Sequence, residues 1–135
     1  GRRSMTLYVM GRPKAQPRAR RSKSGGMYTP STADEWKTAI IDAAVRAGLT
    51  HRPKGPVAVK IRFELPRPKR LAFAKDPVPH VAKPDVDNLE KAVLDALTTA
   101  GAWLDDSQVY DIRSTKLYAE RDANPGAWIF LTYEG

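Results

Sequence analysis

The sequence predicts a single α+β domain: a mixed β-sheet packed with two main helices, in the order β-α-β-α-β-β. Three observations carry that expectation. Val57, Val59, Ile61, Phe63 and Leu65 alternate with Ala58, Lys60, Arg62 and Glu64, the two-residue period of a half-buried strand. Two other stretches, 33–47 and 88–100, repeat apolar residues at helical spacing. The 135 residues include no cysteine and no internal repeat. A chain of that size can bury about two thirds of its unfolded surface, enough for a core without disulfide staples.

Gly1–Ser4, ahead of Met5, reads as a tag remnant, which leaves 5–135 as the domain. Thr6–Met10 is a short apolar, β-prone run and predicts the first strand. Gly11–Pro30 holds three prolines, three glycines and six basic residues with no apolar period, which predicts an exposed basic loop. Thr32-Ala33-Asp34-Glu35 fits a capping box, and Trp36, Ile40, Ala43, Ala44 and Ala47 follow, so a helix is expected over 33–47 with Gly48 as its stop. The alternating run makes a strand of 57–65. Pro66–Pro84 has five prolines and five basic residues, and a loop of that length in a small domain is functional or mobile. Leu89, Val93, Ala96, Leu97 and Ala100 predict a second helix over 88–100, ended by Gly101. Strands are expected over 108–119 and 127–133, joined by a turn at Asn124-Pro125-Gly126.

The net charge is +8, and it is unevenly distributed: residues 1–33 carry +8, 34–51 carry −1, 52–75 carry +7 and 76–135 carry −6. A basic chain of this kind suits a polyanionic partner. With His51 and His80 as the two histidines and no cysteine, thiolate-ligated and His-rich metal sites are excluded. The longest apolar run, Ala127–Leu131, is five residues, far short of a membrane span. No apolar segment follows the early arginines as a secretory signal would require. The expected setting is therefore the cytoplasm, with activity at the nucleoid, whether the gene belongs to a cell, a prophage or a phage.

The acidic half concentrates its carboxylates at the two ends of the second helix. Asp85-Val86-Asp87-Asn88 opens it, and Asp105-Asp106 follows it. If 84–87 is extended, Asp85 and Asp87 point to one side. Lys91, four residues after Asp87, shares its helix face. A thirteen-residue helix is about 20 Å long and a six-residue return spans at most roughly 17–20 Å, so Asp106 could just regain the helix start within one subunit. Converging carboxylates repel unless a cation lies among them, and hard oxygen ligands without His or Cys suit Mg²⁺, with Mn²⁺ able to substitute. Such a site can activate water for attack on a phosphodiester, with Lys91 beside the phosphate. The plain structural alternative is that these aspartates cap the helix and favour its dipole. Asp105 is an auxiliary ligand or a turn residue. Asp95, Asp111 and His80 read as solvated.

At these residues the chain resembles the RusA family of Holliday junction resolvases, the crossover junction endodeoxyribonucleases. The resemblance rests on Lys83-Pro84-Asp85-Val86-Asp87-Asn88-Leu89-Glu90-Lys91, on Asp95-Ala96-Leu97, and on Gly101-Ala102-Trp103-Leu104-Asp105-Asp106. Ser107-Gln108-Val109 and Lys116 are also similar, as are Pro13–Arg18 and Met27–Pro30. The resemblance implies a homodimeric, Mg²⁺-dependent nuclease that cuts four-way DNA junctions by paired nicks in recombination and repair. It implies metal binding by Asp85, Asp87 and Asp106 and a catalytic role for Lys91, with no organic cofactor and no membrane partner.

Two basic sets would hold DNA through its phosphates. One is Arg12, Lys14, Arg18, Arg20, Arg21 and Lys23; the other is Arg67, Lys69, Arg70, Lys75 and Lys83, which runs directly into Asp85. Tyr28 and Phe73 are the aromatics available to stack on unpaired bases. Two other functions fit the same residues: a non-catalytic, structure-selective DNA-binding module, and a general metal-dependent nuclease.

Overall fold

The computed structural model describes residues 1–16, 20–21, 27–28 and 32–135, with the side chains of 20–21, 27–28 and 32–33 outside the description. Six strands and two helices follow in the order β1 (Arg3–Met10), β2 (Arg20–Arg21), β3 (Met27–Tyr28), α1 (Thr32–Arg46), β4 (Val57–Leu65), α2 (Val86–Ala100), β5 (Val109–Tyr118) and β6 (Gly126–Tyr133). Four of the strands form one mixed sheet in the order β1-β6-β4-β5. Both β1 and β4 run antiparallel to β6, and β4 runs parallel to β5. A parallel pair needs a crossover, and α2 supplies it.

The expected elements are present, with one-residue shifts at the ends of α1, β5 and β6 and three larger differences. Arg3 and Ser4 belong to β1, because they continue its ladder against Tyr133 and Thr132. The basic stretch expected as loop contains the two-residue strands β2 and β3, paired antiparallel. And α2 starts at Val86, two residues earlier than the apolar period indicates.

Strand β4 alternates as expected: Val57, Val59, Ile61, Phe63 and Leu65 are buried, and the residues between them are not. Its buried side faces the helices, where Trp36, Ile40 and Ala44 of α1 and Leu89, Val93, Ala96 and Leu97 of α2 complete the core with Trp103. The indole N–H of the fully buried Trp103 donates to Thr98 Oγ1 at 2.7 Å, so the ring is buried without an orphaned donor.

Both helices stop the same way. After α1, Leu49 N–H reaches the Ala44 carbonyl and Gly48 N–H that of Val45; after α2, Ala102 reaches Leu97 and Gly101 reaches Thr98. These are paired Schellman bonds around a left-handed residue, with φ of 81° at Gly48 and 96° at Gly101. Gly101 is required twice over, since a Cβ there would meet the Thr50 carbonyl oxygen at 3.0 Å.

The long loop 66–84 is organised by Arg67, whose side chain is 7 % exposed. Its guanidinium donates to the Leu71 carbonyl at 2.8 Å, the Ala74 carbonyl at 2.6 Å, Asp76 at 2.6 Å and the Ala119 carbonyl at 3.3 Å. The far end of the loop lies along the outer edge of β5. His80 N–H donates to the Lys116 carbonyl at 3.0 Å and Tyr118 N–H to the Val78 carbonyl at 2.9 Å. The exposed edge of β5 is thereby covered where loop and strand meet.

Candidate active site

Asp85 occupies the position just before α2, with extended backbone angles (φ −71°, ψ 145°), and its side chain makes no capping bond. Asp87 lies in the first helical turn, where its Oδ1 accepts the Asn88 N–H at 3.0 Å. The two are therefore not neighbours along an extended segment, as the sequence suggests, because helical geometry begins between them. Both are exposed, as is Lys91 one turn further along. Asp87, Lys91, Asp95 and Thr99 succeed one another at four-residue spacing down the solvent side of α2. None of Asp85, Asp87, Lys91 or Asp106 takes part in the ion pairs among the described residues.

Asp106 is elsewhere. The chain does return antiparallel to α2, but as β5, and Asp106 precedes that strand. Arg52 N–H bonds the Gly101 carbonyl at 2.9 Å, and Gln108 Nε2 bonds the Pro53 and Gly55 carbonyls, each at 2.9 Å, which holds the 101–108 segment at the C-terminal end of α2. Strand β5 draws level with the first turns of α2 at Ser114, whose hydroxyl meets Glu90 Oε2 at 2.5 Å. Fifteen residues of α2 span about 22 Å, so Asp106 lies on the order of 20 Å from Asp85 and Asp87 of its own protomer. Among the described residues, no three His, Asp or Glu side chains are grouped to hold a metal ion.

Asp105 is a turn residue. It accepts the Ser107 hydroxyl at 2.7 Å, and its N–H donates to Gln108 Oε1 at 2.9 Å, closing the turn that carries Asp106. The Ser107 bond holds its carboxyl below the usual carboxylate range.

Asp85 lines a cleft of about 400 Å³ with Ala15, Lys83, Pro84 and Asn88. The N-terminal segment reaches this cleft because Gln16 N–H bonds the Asn88 carbonyl at 3.0 Å and Lys37 Nζ bonds Gln16 Oε1 at 3.2 Å. The first basic stretch thus approaches Asp85 through Ala15 and the second through Lys83, while Lys14 lines a separate cleft with Arg12, Glu35 and Trp36. Lys69, Arg70, Lys75 and Lys83 are exposed and Lys14 is partly so. Arg67, expected among the DNA-facing residues, has its guanidinium turned into the loop, where four of its five N–H donors are engaged. Arg18 and Lys23 lie outside the described residues, and Arg20 and Arg21 are described only as the backbone of β2. A cleft of about 620 Å³ lies on the other face of the sheet between Tyr8, Arg62, Glu64 and Trp128, and includes none of the expected site residues.

Two other expectations change. His80 is 8 % exposed rather than solvated, with its ring 4.7 Å from that of Tyr118. Burial, and then the charge of Lys116, lower its pKa. Asp95 is exposed but ion-paired with Lys37 of α1.

Lys116, a partly exposed residue of β5, was not recognisable as part of the site from its spacing. Its ammonium donates to the Ala82 carbonyl at 2.5 Å and the Pro84 carbonyl at 2.7 Å, the peptides that deliver Asp85. Gln108 does the same for the Asp106 turn. Both belong to the stretches quoted above, which is the only sequence signal for them.

Residues 10–129 match the family Endodeoxyribonuclease RusA. The chain belongs to the RusA family. It is 36% identical over 96 residues to "Crossover junction endodeoxyribonuclease RusA" of Escherichia coli strain K12, which covers 71% of this chain and 62% of that protein. The Shigella sonnei protein of the same name is 35% identical over the same length. "Uncharacterized protein YqaN" of Bacillus subtilis strain 168 is 34% identical over 127 residues, 83% of this chain and 86% of that one. The chain spans 62% of the length of the E. coli RusA protein it matches.

The donor set fits the metal that such a nuclease would use. Mg²⁺ takes oxygen ligands, commonly one or two protein carboxylates with water and phosphate completing the shell. Asp85 and Asp87 provide two carboxylates at a helix start, neither in an ion pair among the described residues.

Proposed function

We propose that this chain is a divalent-metal-dependent endonuclease of four-way DNA junctions, working as a homodimer in recombination and repair in the bacterial cytoplasm. The observation that carries the reading is that Asp85 stands before α2 with its carboxylate unused by the helix, beside Asp87 and Lys91, in a chain of the RusA family. A helix that needed only a cap would use that side chain. No described helix is long and apolar enough to cross a membrane, in keeping with a DNA substrate.

Asp85 and Asp87 would hold Mg²⁺, or Mn²⁺ in its place, together with the partner's Asp106. Separation of the carboxylates along α2 supports this division. A two-fold axis that sets two α2 helices antiparallel brings the start of one beside the end of the other. When bound, the metal orients and activates water for in-line attack and stabilises the leaving oxygen. The chain does the remaining work. Lys91, on the same stripe as Asp87, places a positive charge beside the phosphate under attack. Lys14 and Lys83 bind flanking phosphates, and Lys69 and Arg70 extend that contact along the loop. Two sites related by a two-fold axis suit a junction that is itself two-fold symmetric, and account for paired nicks.

The test is a synthetic four-way junction with Mg²⁺ or Mn²⁺. Wild-type protein should nick opposite strands in pairs and spare linear duplex. Asp87→Asn should lower cleavage by at least about 10³-fold while junction affinity holds or rises, because one negative charge near phosphate is gone. Equal cutting of linear duplex would make the protein a general nuclease. No cleavage of any branched DNA would leave a binding module.

A further inference from the structure

The loop between β4 and α2 holds a residue that the carboxylate site does not use. Phe73 is 88 % exposed, the most exposed aromatic ring among the described residues. An exposed ring alone carries no meaning. Here two further features define its setting. The loop is pre-organised: the Arg67 guanidinium binds the carbonyls of Leu71 and Ala74, one on either side of Phe73. The surroundings are cationic: the Arg121 guanidinium lies 5.3 Å from the ring centroid, and Lys69, Arg70 and Lys75 are exposed in the same loop. None of the four joins an ion pair among the described residues.

We propose that Phe73 is a base-stacking residue, presenting its ring to an unpaired DNA base while the basic residues around it hold the adjoining phosphates. The chemistry selects this partner. A ring of this kind is complementary to the flat face of a base, and cations around it are complementary to phosphodiesters. Bases within a duplex have both faces covered by neighbours, so the ring has a ligand only where stacking is interrupted, as at a branch point or in a single strand. Because the loop is already ordered by Arg67, little conformational entropy is lost on binding. The loop ends at Asp85, so a base held at Phe73 would help register the branch point relative to the scissile phosphate. This last point rests on the nuclease reading; the stacking itself does not.

The experiment uses the full chain in metal-free buffer with oligo-dT as the probe. Trp36 and Trp103 are buried, and Trp128, 39 % exposed, lines the cleft on the sheet face away from the helices. Wild-type emission therefore serves as the baseline for the indole that Phe73→Trp introduces. Oligo-dT should quench the variant well beyond that baseline. Phe73→Ala and Phe73→Leu should both weaken oligo-dT binding by about fivefold or more and leave the salt slope unchanged. Lys69→Ala with Arg70→Ala should do the reverse, reducing the slope by about 1.4 while saturating quench persists. Quenching no greater than wild type, or unchanged affinity in Phe73→Ala, overturns the proposal. So does a change in sedimentation mass without a change in oligo-dT affinity, which would assign the ring to a protein contact. Loss of folding in both Phe73→Ala and Phe73→Leu would make it a core residue and overturn the proposal equally. Wild type that binds oligo-dT with stacking but never cuts a junction would sink the nuclease reading alone.

Discussion

Asp85 shows how one side chain can be read only by what it leaves undone. It has the residue type, position and backbone angles of an N-cap, yet its carboxylate makes no cap bond. Asp105, by contrast, is tied up in its own turn by Ser107. Two aspartates with similar sequence surroundings therefore differ in availability, and local hydrogen bonding decides which can meet a metal. His80 differs from expectation for a related reason: its flanking prolines suggest an exposed loop, but the loop lies against β5 and takes the imidazole with it. Burial and the Lys116 charge both favour the neutral ring. The unfolded chain takes up a proton near pH 6.5 and the folded protein only at lower pH, so stability falls as pH drops below about 6.5 and levels off beneath the folded-state pKa. Urea midpoints measured between pH 7.5 and 5 should show that loss. His80→Phe should remove most of it, and an unchanged pH slope in that variant would show that other groups are responsible.

At the scale of elements, the C-terminal half of β5 acts as a clamp. Its edge covers residues 78–80, and Lys116 binds the two carbonyls just ahead of Asp85. Lys116→Met keeps the aliphatic stem and loses both charge-assisted bonds, each worth roughly 1.5–3 kcal/mol when shielded and less at this partly exposed position. A loss of about 2 kcal/mol should lower Tm by roughly 5–10 °C. Single-turnover cleavage should fall further than junction affinity does, and Lys116→Arg should recover most of the rate. Parallel loss of binding and cleavage would make the residue merely structural. The elements themselves were legible because their signals are local. Alternation places β4 at 57–65 to the residue, and Gly48 and Gly101 stop both helices where expected. Helix α2 starts two residues before the apolar period indicates, since Val86 is exposed and adds nothing to that period. The clamp was invisible, because Lys116 and Pro84 are joined by a hydrogen bond across 32 residues of chain rather than by any spacing.

At the scale of the molecule, the parallel placement of β4 and β5 puts the two ends of α2 at opposite ends of the sheet, and the carboxylates go with them. A dimer that completes each site from two subunits makes a prediction no monomeric site can meet. Co-expressed Asp87→Asn and Asp106→Asn subunits, each inactive alone, should form mixed dimers with one intact site. Junction nicking should then return to roughly a quarter of the wild-type level, as single rather than paired cuts. No recovery would overturn the shared site. The charge division also gains a location: Ala15 and Gln16, within the N-terminal basic stretch, and Lys83, at the end of the second basic stretch, all lie at the start of α2.

The sequence by itself determined the four strands of the main sheet, the two helices and their stops, and nominated candidate site residues, because period, caps and a local motif depend on neighbours a few positions apart. Only the tertiary structure decided which of those residues meet. It separated Asp106 from Asp85 and Asp87 by the length of a helix, turned Arg67 inward, buried His80 and brought Lys116 to the peptides before Asp85. The reason is physical: a crossover fixes which ends of its strands coincide, and that choice depends on packing between segments far apart in the chain.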